Sequence, residues 1–204
     1  MKKIMMTLVM AVAAIAASAQ NNTLREPGTI SIQPKVGIGI GYLSGDWTSG
    51  RLGGVDRKAK VGFVGGVEGE YYVNNWLGVA AGVNFAQQGW KFTNDGAAED
   101  AKYKLNYLNI PITADFYVLP GFALKTGVQF GFLASAKIND TDWKDDAKKF
   151  NFSIPVGLSY EYKNVVLDLR YNISVTKVNK NSDADNKWRS DLLQITLGYK
   201  FDLK

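Results

Sequence analysis

From Ile30 to Tyr42 every second residue is apolar: Ile30, Ile32, Pro34, Val36, Ile38, Ile40 and Tyr42. Between them stand Ser31, Gln33, Lys35, Gly37, Gly39 and Gly41, all polar or small. Period two is the spacing of a strand whose faces meet different surroundings. The same split recurs where Phe150, Phe152, Ile154, Val156, Leu158, Tyr160 and Tyr162 alternate with Asn151, Ser153, Pro155, Gly157, Ser159 and Glu161. A strand of a water-soluble sandwich also alternates, with its charged side toward solvent. This chain opens with a secretion signal, so the alternation is read as lipid outside and a polar interior within a closed membrane barrel.

The signal is Lys2 and Lys3, then an apolar stretch over 4–17, then Ala17-Ser18-Ala19, a small-x-small cleavage site. Residues 1–19 are expected to be removed, which makes Gln20 the first mature residue. Residues 20–28 are then a short periplasmic arm and 29–204 one barrel domain. Beyond the signal no run approaches the roughly 20 apolar residues a membrane helix needs, so any crossing is made by strands.

Removing the two signal lysines lowers the formal charge from +5 to +3, with 22 basic against 19 acidic residues. The basic residues are dispersed, which argues against a nucleic-acid partner. There is no cysteine, which excludes a lipoprotein anchor, a disulfide framework and thiolate chemistry, and there is no histidine.

Eight segments of period two follow, at 29–43, 59–73, 76–92, 102–118, 122–138, 150–162, 165–177 and 188–203. The connections alternate in length: the tight turns Asn74-Asn75, Leu119-Pro120-Gly121 and Lys163-Asn164 lie between longer loops. This is the rhythm of bacterial outer-membrane barrels, with short periplasmic turns and longer outer loops. The fold expected is all-β: an eight-stranded antiparallel up-and-down transmembrane β-barrel in the bacterial outer membrane, both termini periplasmic. Its lipid face takes in Leu77, Val79 and Val83, then Leu108, Ile110 and Ile112, and Leu193, Ile195 and Leu197. Tyr71, Trp76, Phe116, Phe122, Tyr160, Tyr162, Tyr199 and Phe201 stand beside the short turns, as an interfacial belt does. Segments longer than the roughly 9–11 residues needed to cross hydrocarbon are expected to project outward.

The inward parity carries Lys35, Glu68, Glu70, Asp115, Lys125, Glu161, Asp168, Arg170, Lys200 and Asp202, most of them three to six residues from a short turn. An eight-stranded barrel is only wide enough for its own side chains. A charge-paired plug in the turn-side half of the lumen is expected, with Arg170 buried against at least one of Glu68, Glu70, Asp115 or Asp168. Glu68 and Glu70 share a face and offer the pairing of a general acid and base, but neutralising nearby lysines and Arg170 is the simpler role. Without histidine the serine and acid residues do not compose a hydrolase site, so no enzyme, cofactor or metal is expected.

Gly37, Gly39 and Gly41 match a loose G-x-G-x-G, yet no helix follows and no acidic partner stands at dinucleotide spacing. They are read as small inward residues that admit bulky neighbours. Asp140, Asp142, Asp145 and Asp146 lack the spacing of an EF-hand and are read as a solvated outer loop. Trp47, Arg51, Trp143 and Trp188 are the candidate contacts in the outer loops.

Three segments resemble a known family, the PorT-like outer-membrane β-barrel domain of small bacterial proteins. They are Val83-Asn84-Phe85-Ala86-Gln87-Gln88-Gly89, Leu105-Asn106-Tyr107-Leu108-Asn109-Ile110-Pro111-Ile112, whose Tyr-Leu-x-Ile-Pro element is the specific one, and Leu167-Asp168-Leu169-Arg170-Tyr171. Where that family often continues Arg-Tyr with a Gly-Leu-Thr-Asn-like run, this chain has Asn172-Ile173-Ser174-Val175-Thr176. The resemblance implies a small barrel of the OmpX/OmpA type, porin-like in architecture. It brings no catalytic residues, and some members are similar to accessory components of a secretion system. The function expected is a non-enzymatic barrel that displays loops for binding; the alternative is a narrow channel or an accessory subunit of a transport machine. The partners expected are outer-membrane lipid, the barrel-assembly machinery during insertion, and an extracellular or envelope protein.

Overall fold

The computed structural model describes residues 25–44, 55–94, 101–138, 141–142, 149–176 and 189–203. Its strands are β1 (Ile30–Ser44), β2 (Val55–Asn74), β3 (Leu77–Asn94), β4 (Ala101–Leu119), β5 (Phe122–Ile138), β6 (Thr141–Asp142), β7 (Phe150–Tyr162), β8 (Val165–Ser174), β9 (Arg189–Tyr199) and β10 (Phe201–Asp202). Each long strand pairs antiparallel with the next, and β1 pairs with β9, from Lys35↔Gly198 to Ser44↔Arg189. That last ladder closes eight long strands into a barrel, so that each of them has a paired neighbour on both sides along the shared part of the wall. The two-residue β6 is an addition to the eight segments expected; it pairs antiparallel with the end of β5 through Lys137↔Asp142 and Ile138↔Thr141.

The short connections are built by local chemistry. Lys163 and Asn164 both hold positive φ, 45° and 70°, the signature of a two-residue type I′ hairpin whose twist matches its strands. Asn74 Oδ1 accepts from the amides of Trp76 and Leu77, each at 2.9 Å, an Asx turn. Gly121 takes φ 75° after Pro120. All three turns lie at one end of the barrel, together with both ends of the described chain.

The segment expected to run unbroken from 188 to 203 is interrupted at Lys200. Pro34 explains it: β1 pairs with β10 through Ile32↔Phe201 and with β9 from Lys35↔Gly198, and the two positions between are skipped. A proline has no N–H to give to Tyr199, the residue opposite it, while the Lys200 amide faces the other neighbour and donates to the Asn164 carbonyl at 2.8 Å. Pro111 and Pro155 act alike. The β3–β4 ladder skips from Ala81↔Ile112 to Asn84↔Asn109, and the β5–β7 ladder from Thr126↔Val156 to Gln129↔Ser153. Each of these prolines keeps its pairing on the other side, as in Pro34↔Val67, Pro111↔Gln129 and Pro155↔Asn172.

The outer wall is apolar. Val36, Val61, Phe63, Val79, Ile112, Leu124, Val156, Leu197 and Phe201 are all exposed, a surface far larger than a soluble protein tolerates. On β3 the apolar run from Leu77 to Phe85 ends at exposed Gln87, and on β4 the run from Phe116 to Leu108 ends at Asn106, whose amide donates to Ser135 Oγ at 2.8 Å. Nine residues from either end of such a run fit the roughly 9–11 that a tilted strand needs to cross hydrocarbon. Beyond that boundary β2 to β5 continue, being 20, 18, 19 and 17 residues long against 13, 10 and 11 for β7, β8 and β9. Among the described residues the wall is taller on the β2–β5 side. Near the turns Trp76 stacks on Phe116 at 6.2 Å and Tyr199 meets Phe201 at 4.7 Å.

Candidate functional site

The interior is filled in layers, each set by the strand register. Deep in the turn-side half lies a cluster of six charges from β1, β2, β4, β5 and β8: Lys35, Lys125 and Arg170 against Glu68, Asp115 and Asp168. It is neutral overall. Arg170 grips Glu68 with both terminal nitrogens, at 2.9 and 3.1 Å, and reaches Asp168 at 3.3 Å. Lys35 meets Glu68 at 2.6 Å, and Lys125 lies 3.0 Å from Asp115 and 3.1 Å from Asp168. Thr113 donates to Asp115, and the Asn84 amide donates to Glu68, both at 2.9 Å. Charges so removed from water persist only when every one is matched, and the bidentate fork of Arg170 does this for Glu68.

Room for these side chains comes from small residues on the facing strands. A Cβ at Gly82 would collide with Glu68, and one at Gly39 would lie 2.9 Å from both Leu192 and Val64. Gly39 thus makes space for bulk, with no phosphate-cradling loop around it.

Closer to the turns is a second group. Lys200 lies 2.7 Å from Glu70 and 3.3 Å from Glu161, and it donates to the hydroxyls of Tyr72 and Tyr117 at 2.6 and 2.9 Å. Tyr117 in turn donates to Glu70 at 2.5 Å. Arg25, from the segment before β1, reaches Asp202 at 2.6 Å and Glu161 at 2.7 Å, with its guanidinium 5.4 Å from the centre of the Tyr72 ring. Burial works against the Arg25 charge, and the hydrogen-bonded Asp202 and Glu161 carboxylates hold its pKa above the ordinary value.

Of the ten charges assigned inward, nine are buried, and Asp202 differs. Its side chain is 43 % exposed, because β10 runs past the end of the lumen and Asp202 meets Arg25 at the rim. Trp47, Arg51, Trp143 and Trp188 lie outside the described residues, as do Asp140, Asp145 and Asp146, and only the backbone of Asp142 is described. Among the described residues no group of three or more acidic side chains is placed to hold a metal ion.

Toward the loop end the filling changes. Val64↔Ala86, Ala86↔Tyr107 and Tyr107↔Leu133 are successive register partners around β2, β3, β4 and β5, and all four are buried. Leu192 of β9 packs with Val64 and Ala86, and Leu105 and Ala136 are buried just beyond. One inward step below this apolar layer runs a ring of partners made of Gly66, Asn84, Asn109, Gly131 and Asn151. Sequence reasoning named neither Tyr72 and Tyr117 nor the apolar layer, although parity alone reaches them from Glu70, Asp115 and Asn109. Arg25 had no such signal, since it precedes the first strand.

Among solved structures, this fold is similar to that of Ail, the attachment invasion locus protein of Yersinia pestis, at 19% identity over 86% of this chain and 99% of that one, with a TM-score of 0.49. OprG from Pseudomonas aeruginosa is similar at 12% identity over 88% and 99% of the two chains, TM-score 0.49, and Neisserial surface protein A at 19% identity over 84% and 97%, TM-score 0.46. No curated protein matches in sequence. The sequence model of the outer membrane protein beta-barrel domain matches residues 18–180, and with a closed antiparallel barrel, an apolar outer wall and a salt-bridged interior, the chain belongs to that family of outer-membrane barrels.

Proposed function

We propose that the protein is a closed, non-enzymatic barrel that anchors extracellular loops in the outer membrane for contact with an extracellular or envelope partner. The observation that carries this reading is the filling of the lumen: a neutral charge cluster near the turns and an apolar layer near the loops, with Arg170, Asp115, Val64 and Ala86 all fully enclosed. In this reading the signal over 1–19 is removed, the barrel-assembly machinery inserts the mature chain, and both termini and the short turns face the periplasm. A scaffold of this kind presents variable loops on a rigid wall.

Single-channel recording in planar bilayers tests it. A plugged barrel gives no steady current, whereas defined conductance steps would move the assignment to a narrow channel. The resemblance to PorT-like proteins in the Tyr-Leu-x-Ile-Pro strand supports a second reading, an accessory subunit of a secretion machine. Co-purification of a stable complex from outer membranes after crosslinking distinguishes that case from a free-standing barrel.

A further inference from the structure

At the turn-side mouth of the barrel one cation comes from a segment that takes no part in the wall. Residues Glu26 to Thr29 form a type II turn: the Thr29 amide donates to the Glu26 carbonyl at 3.2 Å, Pro27 fills the first central position, and Gly28 takes φ 88° at the second. A Cβ at Gly28 would meet nothing within 4 Å, so glycine serves there for its backbone angle and not for room. The Gly28 amide donates to the Tyr72 carbonyl at 2.8 Å, which fixes the turn on the end of β2. Among the described residues no backbone hydrogen bond holds Arg25 itself. Its side chain is the attachment.

That side chain enters a cage shaped for it. Arg25 Nε donates to Asp202 at 2.6 Å, Nη1 donates to Glu161 at 2.7 Å and to the Tyr72 hydroxyl at 3.4 Å, and the guanidinium lies 5.4 Å from the centre of the Tyr72 ring. A planar fork serves two separate carboxylates and an aromatic ring at once, a geometry that a compact ammonium lacks. The ammonium at this end, Lys200, sits on Glu70 and Glu161. Glu70, Glu161 and Asp202 thus face Lys200 and Arg25, and with Arg25 away Lys200 alone would stand against three acids. An emptied cage keeps its demand for a cation. It is also within reach from outside, since the Asp202 side chain is 43 % exposed where Arg170 of the deep cluster is 0 % exposed.

We propose that the turn-side mouth is a binding site for one guanidinium group, filled in cis by Arg25 and open in trans to an arginine of another protein chain when the arm is displaced. The site lies at the opposite end of the barrel from the loops and stands whatever the loops bind. In cis the arm is its own competitor: a short tether holds Arg25 at an effective concentration on the order of millimolar. A partner displaces it by exceeding that figure, or by adding contacts of its own at the rim.

Titration of the folded Arg25→Ala barrel in nanodiscs with methylguanidinium, read on the Tyr72 ring resonances, tests the site. A saturable shift is expected, with half-saturation on the order of millimolar. No saturable shift overturns the proposal, and so does an equal response to methylammonium, which would make the mouth a site for any small cation. In the unmodified protein roughly tenfold more methylguanidinium should be needed, with displacement seen as loss of the Arg25 Nε–H resonance. An Arg25 resonance untouched there overturns the proposal even if the alanine variant does not fold. The peptide acetyl-Leu-Arg-Glu-Pro-amide, which carries the chain's own arm sequence, should bind the Arg25→Ala barrel, and its citrulline counterpart should not. Equal binding of the two peptides, or none by either, would overturn recognition in trans.

Discussion

The two ends of the lumen solve one problem by opposite chemistry. Near the turns the interior is closed by Lys35, Glu68, Asp115, Lys125, Asp168 and Arg170, and near the loops by Val64, Ala86, Tyr107, Leu133 and Leu192. The charged end holds together only as a matched set, because removing one partner leaves a buried ion alone, whereas the apolar end loses stability in proportion to the volume removed. The difference teaches that a narrow barrel needs its interior filled and neutral, and that the kind of filling changes how it fails.

The largest expected effect falls on the matched set. Arg170→Met should destabilise the barrel by about 3–5 kcal/mol, measured as a shift of the urea unfolding transition in detergent micelles. Adding Asp168→Asn leaves Lys35 with Glu68 and Lys125 with Asp115, two neutral pairs, so the double variant should recover much of the loss. No coupling between the two positions would break the comparison, since the charges would then act singly as the apolar residues do.

Leu192→Ala should cost about 2–5 kcal/mol by leaving a cavity against Val64 and Ala86. The loss should be the same at low salt and at 1 M salt. Tyr117→Phe removes one donor to Glu70 and one acceptor from Lys200, and about 1.5–3 kcal/mol is expected for a hydrogen bond to a charged group. Equal stability in the phenylalanine variant would show that Lys200 and Glu70 need no help from the hydroxyl. Arg25→Ala is the smallest, on the order of 1 kcal/mol for a pair at the rim. Its effect should fade in 1 M salt as screening shortens the reach of the charges, while that of Arg170→Met persists.

Much of this architecture was legible because period two survives any strand length. Glu68 and Glu70, two apart on β2, point to one side whatever the exact ends of the strand, and so do Asp168 and Arg170 on β8. What parity does not encode is height across strands. Without the registers that set Val64 beside Ala86 and Tyr107 beside Leu133, the apolar residues of the interior could not be assembled into a layer. The break at Lys200 was also hidden, because its cause, Pro34, lies more than 160 positions earlier and becomes a neighbour only on closure. Arg25 belongs to no strand, and its place follows from Asp202, Glu161 and Tyr72 meeting at the rim.

The bidentate grip of Arg170 on Glu68 joins residues 102 positions apart, on β8 and β2, and these strands are separated by β9 and β1 in the closed wall. It therefore cannot form in any partial sheet from β2 to β8 that has yet to curl round. The six-charge cluster is a late event, completed when β9 meets β1, and a slip of one residue in that final ladder would set inward residues of one strand beside outward residues of the other. Substitutions there should quicken unfolding far more than they slow folding. Read as kinetics, the cluster is a lock on a finished ring, one that rewards correct closure and plays no part in the search for it.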